Sequence, residues 1–237
     1  MVISVAATSI VDAIATDLRS RLFAGEITGQ MPLTETDLAA SYDVARPTAK
    51  AAIERLVGEG LLVRGAHKTA RVAELGPEAV RDIYLARAYL ESEVLRRLAH
   101  TRTVPTDAVI ANREIAEFTD GSPLDLVEPD MRFHLSLIDA MGNERMSKMY
   151  RSLVSEVRLC MTRVQGLNLL GPGLIHAEHQ KILELLREGE GEAAALLLDD
   201  HLGRARERLV EALGGEAGPE ARVPDLPPAE ETHLDHG

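Results

Sequence analysis

Four residues in the second half of the chain have the types and spacing of metal ligands. Asp130 and His134 are four positions apart, so a helix places both on one face. His179 and His201 each lie in a later segment of helical periodicity. Three imidazoles and a carboxylate suit a divalent transition metal, zinc first and nickel, manganese or iron as alternatives. His176, one turn before His179, is a rival ligand or a partner to one.

The elements that must hold these residues are helices. From Glu78 onward the apolar residues recur almost only with the period of a helix. The predicted helices span 78–100, 107–119, 124–141, 144–165, 174–187 and 190–212. The fourth faces inward with Met149, Leu153, Val157 and Cys160. This pattern predicts an all-α antiparallel bundle over 76–213, in which the four donors can converge, although an Asp/His pair at this spacing is also common on surfaces.

The first 75 residues predict a different architecture. A helix over 9–24 precedes a short helix over 35–41, a tight connection and a second helix over 46–57. Two short strands, 61–63 and 70–73, then flank a basic tip. This order is that of a winged helix-turn-helix, in which the second helix of the pair enters a DNA major groove and the wing reaches a neighbouring groove or backbone. The linker 75–77 marks the boundary between two domains.

The charge distribution supports a DNA-binding head. The whole chain of 237 residues carries a formal net charge of −12, which by itself opposes nucleic-acid binding. Residues 44–71, however, hold six Lys and Arg against two Glu, a net charge of +4. Arg46, Thr48 and Lys50 lie near the amino end of the second helix, and His67 and Lys68 lie at the tip of the wing. These five residues are predicted to contact DNA.

Composition excludes other classes of protein. One cysteine, Cys160, cannot form a disulfide framework, and no apolar run reaches the length of a membrane span. The opening residues lack the basic start of a signal peptide, so a cytoplasmic protein without a membrane partner is expected. Residues 214–237 are acidic and rich in Gly and Pro, and a disordered tail is predicted there.

These motifs resemble those of GntR-family transcriptional regulators of the FadR subfamily, which carry an FCD effector domain. The resemblance covers roughly residues 10–213. It rests on LTETDLA at 33–39, YDVARPTAKAAI at 42–53, Leu56, EGL at 59–61, RAYLE at 87–91, DMRFH at 130–134, GN at 142–143, EHQKI at 178–182 and DHL at 200–202.

For the DNA-binding head, the resemblance places Arg46 and Lys50 at positions where the family has arginines at the DNA. It also places Thr36 where an arginine often reads DNA. The chain departs from the family pattern at several positions, among them Ala45 in place of a hydroxyl residue and Lys50 in place of Arg. A lysine lacks the bidentate fork that suits guanine, so the DNA target is expected to differ from the family's common sites.

For the helical domain, the resemblance implies that Asp130, His134, His179 and His201 hold the metal. In such proteins the metal either takes part in binding a small carboxylate effector or holds the bundle together. Arg87 is a plausible further anchor for the effector, and a salt bridge to Glu91 at i+4 is an equal alternative for it.

The sequence thus predicts a homodimeric, metabolite-responsive transcription factor on a palindromic operator, with half-sites ~34 Å apart. Repression relieved by the effector is the commoner mode in the family. An alternative of another class is a metal-dependent hydrolase with the winged region as a docking module. That enzyme would need a general base near the metal, and Glu178, the nearest candidate in sequence, lies about 100° round its helix from His179. A third interpretation keeps the DNA-binding head and makes the metal purely structural.

Overall fold

A computed structural model describes residues 9–29, 31–65, 69–119, 123–163, 171–216 and 218. The elements in chain order are α1 (Ile10–Phe23), β1 (Leu33–Thr34), α2 (Glu35–Ser41), α3 (Arg46–Gly58), β2 (Leu62–Arg64), β3 (Thr69–Val72), α4 (Pro77–His100), α5 (Thr106–Ala116), α6 (Pro123–Asp139), α7 (Glu144–Arg163), α8 (Pro172–Glu188) and α9 (Gly191–Ala212). The prediction of a mainly helical protein, with a winged helix-turn-helix followed by an all-helical domain, is confirmed.

Local signals in the sequence explain the start of the helix-turn-helix elements. The Ser9 hydroxyl accepts a hydrogen bond from the Asp12 backbone N–H at the start of α1, at 3.2 Å. The Thr34 hydroxyl does the same for Asp37 at the start of α2, at 3.0 Å. Each cap satisfies a backbone donor that the first turn leaves unpaired. Pro47 lies in the first turn of α3, where its missing N–H costs nothing.

The wing contains one strand more than the sequence predicted. Strands β2 and β3 pair antiparallel, and β1 pairs with the other side of β3, so the sheet order is β1-β3-β2. Because β1 is only two residues long, it has too little alternation to be recognised by pattern. The tip of the wing, with the predicted DNA contacts His67 and Lys68, lies outside the described residues.

The helical domain is built around α4. This helix packs along most of α9 and also contacts α6, α7 and α8, while α5 lies against α6 and α8. Pro129 lies inside α6, which begins before it at Pro123. One prediction for α7 is wrong: Met149 is 57% exposed, and the neighbouring Tyr150 is fully buried in its place. The predicted tail begins beyond α9, and nearly all of it lies outside the described residues.

Two hydrophobic clusters form, one in each half of the chain, and α7 contributes to both. Val154 and Val157 belong to the cluster of the helical domain, whereas Leu159 is buried in the cluster of the helix-turn-helix region. Beyond it, the Thr162 hydroxyl lies 3.3 Å from the Phe23 carbonyl oxygen, which it can reach as a donor. One helix therefore joins the two halves by packing. The division at residues 75 and 76 stays a prediction.

A half-buried carboxylate lies at this junction and leads to a pH-dependent prediction. Burial raises the pKa of Glu156 on α7, and a Cβ added at Gly60 would meet its carboxylate. A folded-state pKa above the unfolded value gives stability that is present below about pH 4.5 and is lost as the pH rises through the folded value. Glu156→Gln should therefore raise the melting temperature at pH 7.5 and lose that advantage near pH 4.5.

The matched control is Asp199→Asn, which removes a charge from the exposed side of α9. It should leave the pH dependence of the melting temperature unchanged. A Glu156→Gln protein that is less stable than the wild type at pH 7.5 would contradict the prediction, because the carboxylate would then be stabilising the junction.

Candidate metal centre and nucleic-acid interface

The four predicted metal ligands lie together inside the helical domain. Asp130 and His134 come from α6, His179 from α8 and His201 from α9, and one ligand atom from each lies within 4.8 Å of all the others. The three histidines are buried and the aspartate is partly exposed. The i,i+4 pair shares one face of α6, as predicted, and the packing of α8 and α9 supplies the convergence that spacing alone does not give.

The rival ligand His176 does not join this cluster. Its Nδ1 lies 3.2 Å from the backbone carbonyl oxygen of Asn112 on α5. His176 and His179 are three positions apart on α8, yet their rings contact different neighbours. His176 is therefore neither a member of the cluster nor, by any hydrogen bond that the structure gives, a partner of its ligands.

The donor set fits a transition metal. The Asp130 carboxylate oxygen Oδ1 lies 3.8 Å from His134 Nε2 and 3.5 Å from His179 Nε2. Ligand atoms around a tetrahedral ion with bonds of about 2.0–2.1 Å lie roughly 3.3 Å apart, close to these separations. His134 Nε2 and both ring nitrogens of His179 are buried, and none of these atoms has a hydrogen-bond partner among the residues that the structure describes. Buried polar atoms are rarely left so, and an ion would satisfy the unpaired Nε2 atoms.

The electrostatic environment keeps His179 in the form that a metal needs. Burial, then the neighbouring His201, His134 and Arg87, lowers the pKa of His179 well below its usual value. At neutral pH the ring is therefore uncharged and retains a lone pair. A metal can be bound only by an imidazole in this deprotonated form.

Arg87 lies in a buried polar network beside the cluster. Its side chain is 1% exposed, and Nε donates to Glu91 Oε1 at 3.0 Å and to the Tyr150 hydroxyl at 3.2 Å. The Tyr150 hydroxyl itself donates to Glu91 Oε1 at 2.5 Å. The i+4 salt bridge that the sequence offered as an alternative is present, but Arg87 Nη2 is buried and has no hydrogen-bond partner in the described part of the chain. The two N–H groups of Nη2 are thus left to meet a ligand.

Glu91 is an ionised carboxylate in this network. Burial alone would raise the pKa of Glu91, but its contacts with His134, Arg87 and Tyr150 outweigh burial and lower the pKa to about 2. Sequence reasoning considered Glu91 only as a partner of Arg87. The buried Tyr150 gave no usable signal, because the period of α7 allowed Met149 in its place.

The predicted DNA-contacting residues lie at the start of α3 and on α2. Arg46, Lys50 and Thr36 are exposed, and Thr48 is partly exposed. The N-cap of α3 is Ala45, whose side chain makes no capping hydrogen bond. Pro47 has no N–H, and the Thr48 N–H donates to the Ala45 carbonyl oxygen at 2.9 Å, so this helix end offers a phosphate its side chains and not a row of free backbone N–H groups.

Ion pairs reduce the positive charge that this region can offer to DNA. Arg55 pairs with Asp12, and Arg64 pairs with Glu54 and lies 3.5 Å from Glu35. Arg46 lies 3.7 Å from the same Glu35, a loose contact.

Two further cations in this region lie outside these ion pairs. Among the described residues, Lys50 and Arg71 have no ion-pair partner within 4 Å, and both are exposed. Arg71 lies on β3 of the wing and was missed as a DNA-binding candidate, because the sequence analysis considered only the tip of the wing.

A winged helix-turn-helix with an exposed basic helix end, joined to a helical domain with a buried cluster of donors, defines a class: DNA-binding transcription regulators with a ligand-binding domain. The profile of the gntR family of bacterial regulatory proteins matches residues 10–72, and that of the FCD domain matches residues 82–204. The chain therefore belongs to the GntR family, in its FadR subfamily with a C-terminal FCD domain. This family consists of transcription regulators and not of enzymes, so the hydrolase alternative is set aside.

Individual proteins are also similar to this chain in sequence or in fold. The chain is 27% identical over 188 residues to the Nta operon transcriptional regulator of Aminobacter aminovorans, covering 77% of this chain and 86% of that protein. A GntR protein from Rhodococcus sp. RHA1 has a similar fold, with a TM-score of 0.72, 22% identity and coverage of 86% of this chain and 99% of that one. Escherichia coli McbR/YncC has a TM-score of 0.61 at 16% identity, over 87% of this chain and 98% of that one.

In the part of the chain that the structure describes, no helix is both long enough and apolar enough to cross a bilayer.

Proposed function

We propose that this regulator is a homodimer that binds a palindromic operator and responds to a small carboxylate metabolite bound at a metal ion in the FCD domain. The observation that carries the proposal is the buried cluster of Asp130, His134, His179 and His201, whose ligand atoms lie within 4.8 Å of one another. Zinc is the first choice of metal, and nickel, manganese or iron are alternatives. Release of repression by the effector is the proposed mode, in the cytoplasm.

The proposed effector site combines the metal centre with Arg87. A metal bound by the cluster would supply a positive charge and open coordination positions for carboxylate oxygens. Arg87 would donate to the same carboxylate through Nη2, the atom that has no partner within the described residues. The network of Glu91 and Tyr150 holds the guanidinium in place, so the anchor is preorganised before the ligand arrives.

The proposed path from effector to DNA runs along α7. Tyr150 contacts Arg87 and Glu91 beside the cluster, and Leu159, nine residues later, is buried in the hydrophobic cluster of the helix-turn-helix region. Nine residues of helix span roughly 14 Å. An effector can shift the placement of the two DNA-binding heads only if it binds one arrangement more tightly than the other.

The proposed DNA contacts are those of the helix-turn-helix and wing. Arg46, Thr48 and Lys50 would meet the operator from α3, Thr36 from α2, and His67 and Lys68 from the wing. The proposed domains are residues 1–75 for DNA binding and 76–213 for effector binding and dimerisation, with 214–237 as a disordered acidic tail. Two heads on one dimer would engage successive major-groove faces of the operator.

A screen of small carboxylates by thermal shift tests the effector proposal. With zinc-loaded protein, a true effector at about 100 times its Kd should stabilise the protein by roughly 2.7 kcal/mol through mass action. The shift should disappear after chelation and should shrink in Arg87→Gln. The same carboxylate should change operator affinity in a gel-shift assay at fixed salt.

A purely structural metal is the second candidate function, and the burial of all three histidines favours it. In that case chelation lowers the melting temperature, while carboxylates neither stabilise the loaded protein nor change its affinity for DNA. That combination of results would overturn the effector proposal and leave the metal centre intact.

A further inference from the structure

Two buried carboxylates contact the outer nitrogens of two of the clustered histidines. Glu91 on α4 lies 2.5 Å from His134 Nδ1 through its Oε2 atom. Glu178 on α8 lies 2.8 Å from His201 Nδ1, also through Oε2. Neither glutamate is a member of the four-residue cluster. The same contact is therefore made twice, on ligands that come from different helices.

We propose that Glu91 and Glu178 are positioning residues, which fix the tautomer and ring orientation of His134 and His201 so that each presents Nε2 to a metal. The inference rests on the metal centre of the proposed function and deepens it. A carboxylate at Nδ1 accepts a hydrogen bond only if that nitrogen carries the proton. The neutral ring then has its lone pair on Nε2, the nitrogen that the carboxylate does not contact.

Each positioning carboxylate is itself held by an arginine. Glu91 accepts from Arg87 and Tyr150 through Oε1, which leaves Oε2 for His134. Glu178 accepts from Arg204 through Oε1, which leaves Oε2 for His201. In both cases one oxygen is anchored and the other faces a ring nitrogen. The anchored oxygen holds the carboxylate in place, and the second oxygen is left to accept from the ring.

The third histidine is oriented in a different way. Neither ring nitrogen of His179 has a hydrogen-bond partner within the described residues. Its ring instead stacks on Phe133, with the ring centres 3.6 Å apart and the planes 4° from parallel. His179 is thus held by packing, and it can adopt either tautomer. Positioning by a carboxylate therefore applies to His134 and His201 and not to His179.

Helices α4 and α8 each have a function in this arrangement that the positions of the metal ligands alone do not explain. Helix α4 contributes no member of the cluster, yet through Glu91 it orients the ligand on α6. Helix α8 contributes His179 and, with the adjacent residue Glu178, orients the ligand on α9. Successive residues of a helix point roughly 100° apart, so Glu178 can contact His201 while the adjacent His179 points into the cluster.

The test compares Glu91→Gln, Glu178→Gln and the control Glu188→Gln, which changes an exposed glutamate at the end of α8. Zinc affinity is measured on the full chain by competition with a chromophoric chelator. Each buried variant should bind zinc about 10–100 times more weakly, which is the usual effect of losing such a partner. The control should stay within about twofold of the wild type.

A second measurement separates positioning from stability. Imidazole 15N resonances of the metal-free protein report which ring nitrogen carries the proton, and we expect the proton on Nδ1 of His134 and His201. Glu178→Gln should alter the His201 signal and leave that of His134 unchanged, with the reverse in Glu91→Gln. This pattern would not arise from a general loss of stability. Should Glu91→Gln fail to fold because Arg87 loses its counter-charge, Glu178→Gln carries the test alone.

The outcomes distinguish this inference from the proposed function. Wild-type protein that binds zinc, together with variants of unchanged affinity and unchanged tautomers, overturns the positioning role and leaves the metal centre intact. Wild-type protein that binds none of the four candidate metals overturns the proposed function and this inference with it.

Discussion

His134→Ala and His179→Ala should each yield protein without stably bound metal. Both residues offer a buried nitrogen that has no hydrogen-bond partner among the described residues, so the truncation removes one of the four ligands of the cluster. Apparent binding free energies of four-ligand zinc sites are about 10–16 kcal/mol, so an even share for one ligand is roughly 3 kcal/mol, or a loss of affinity of 100-fold or more. Elemental analysis after exhaustive dialysis measures the effect directly.

The chain offers two matched controls for this experiment. His176→Ala removes a histidine on the same helix as His179 whose ring contacts a backbone carbonyl instead of the cluster. His100→Ala removes an exposed histidine at the end of α4. Both controls should keep the metal content of the wild type. Full metal content in His134→Ala and His179→Ala would show that the assigned ligand set is wrong.

The fold was predictable wherever a local rule decides the structure. The caps Ser9 and Thr34, and Pro47 in the first turn of α3, act within a few residues of their own position, and the helices start where these signals predict. The choice between Met149 and Tyr150 is different. Both fit the apolar stripe of α7 within one residue, and the buried position goes to the tyrosine, whose hydroxyl meets Glu91 and Arg87. Those partners lie on another helix, which periodicity does not reveal.

The candidate site shows the same limit. The four clustered residues follow from donor type, from the spacing of Asp130 and His134, and from the resemblance to a known family. The positioning partners do not, because they depend on how neighbouring helices face one another. Glu178 was considered only as a base for its neighbour His179, whereas the structure turns it towards His201 on α9. The angle between two residues on one helix shows that their side chains point in different directions. It does not show which side chain of a neighbouring helix each of them contacts.

Charge counting along the sequence overestimates the free positive charge of the DNA-binding head. The net charge of +4 over residues 44–71 already subtracts Glu54, the partner of Arg64, but it leaves out two acids from other elements. Asp12 pairs with Arg55, and Glu35 lies 3.5 Å from Arg64 and 3.7 Å from Arg46. Exposed ion pairs of this kind are weak and can rearrange on DNA, but they cost part of the gain from phosphate contacts. The structure thus concentrates the proposed electrostatic contact on Arg46 and Lys50 at the start of α3, with Arg71 on the wing as a further cation.

Arg46→Ala combined with Lys50→Ala should remove most of the operator affinity. If each side chain meets one phosphate, a dimer loses four contacts, and the slope of log affinity against log salt should fall by about 3.6. At roughly 1 kcal/mol for each contact, the loss of affinity is about 1,000-fold at physiological salt. Fluorescence anisotropy on a duplex selected from a random library, repeated across a salt series, measures both quantities.

The matched control for the double variant is Arg55→Ala, which removes a cation from the same helix. Because Arg55 already pairs with Asp12, its loss should change the salt slope by less than one contact per protomer. If the double variant loses affinity with an unchanged salt slope and no longer discriminates between sequences, the two side chains read base edges instead of phosphates. If affinity and slope both match those of the wild type, α3 does not enter the operator, and the DNA contacts must be sought elsewhere in the head, with Arg71 on the wing as the first residue to test.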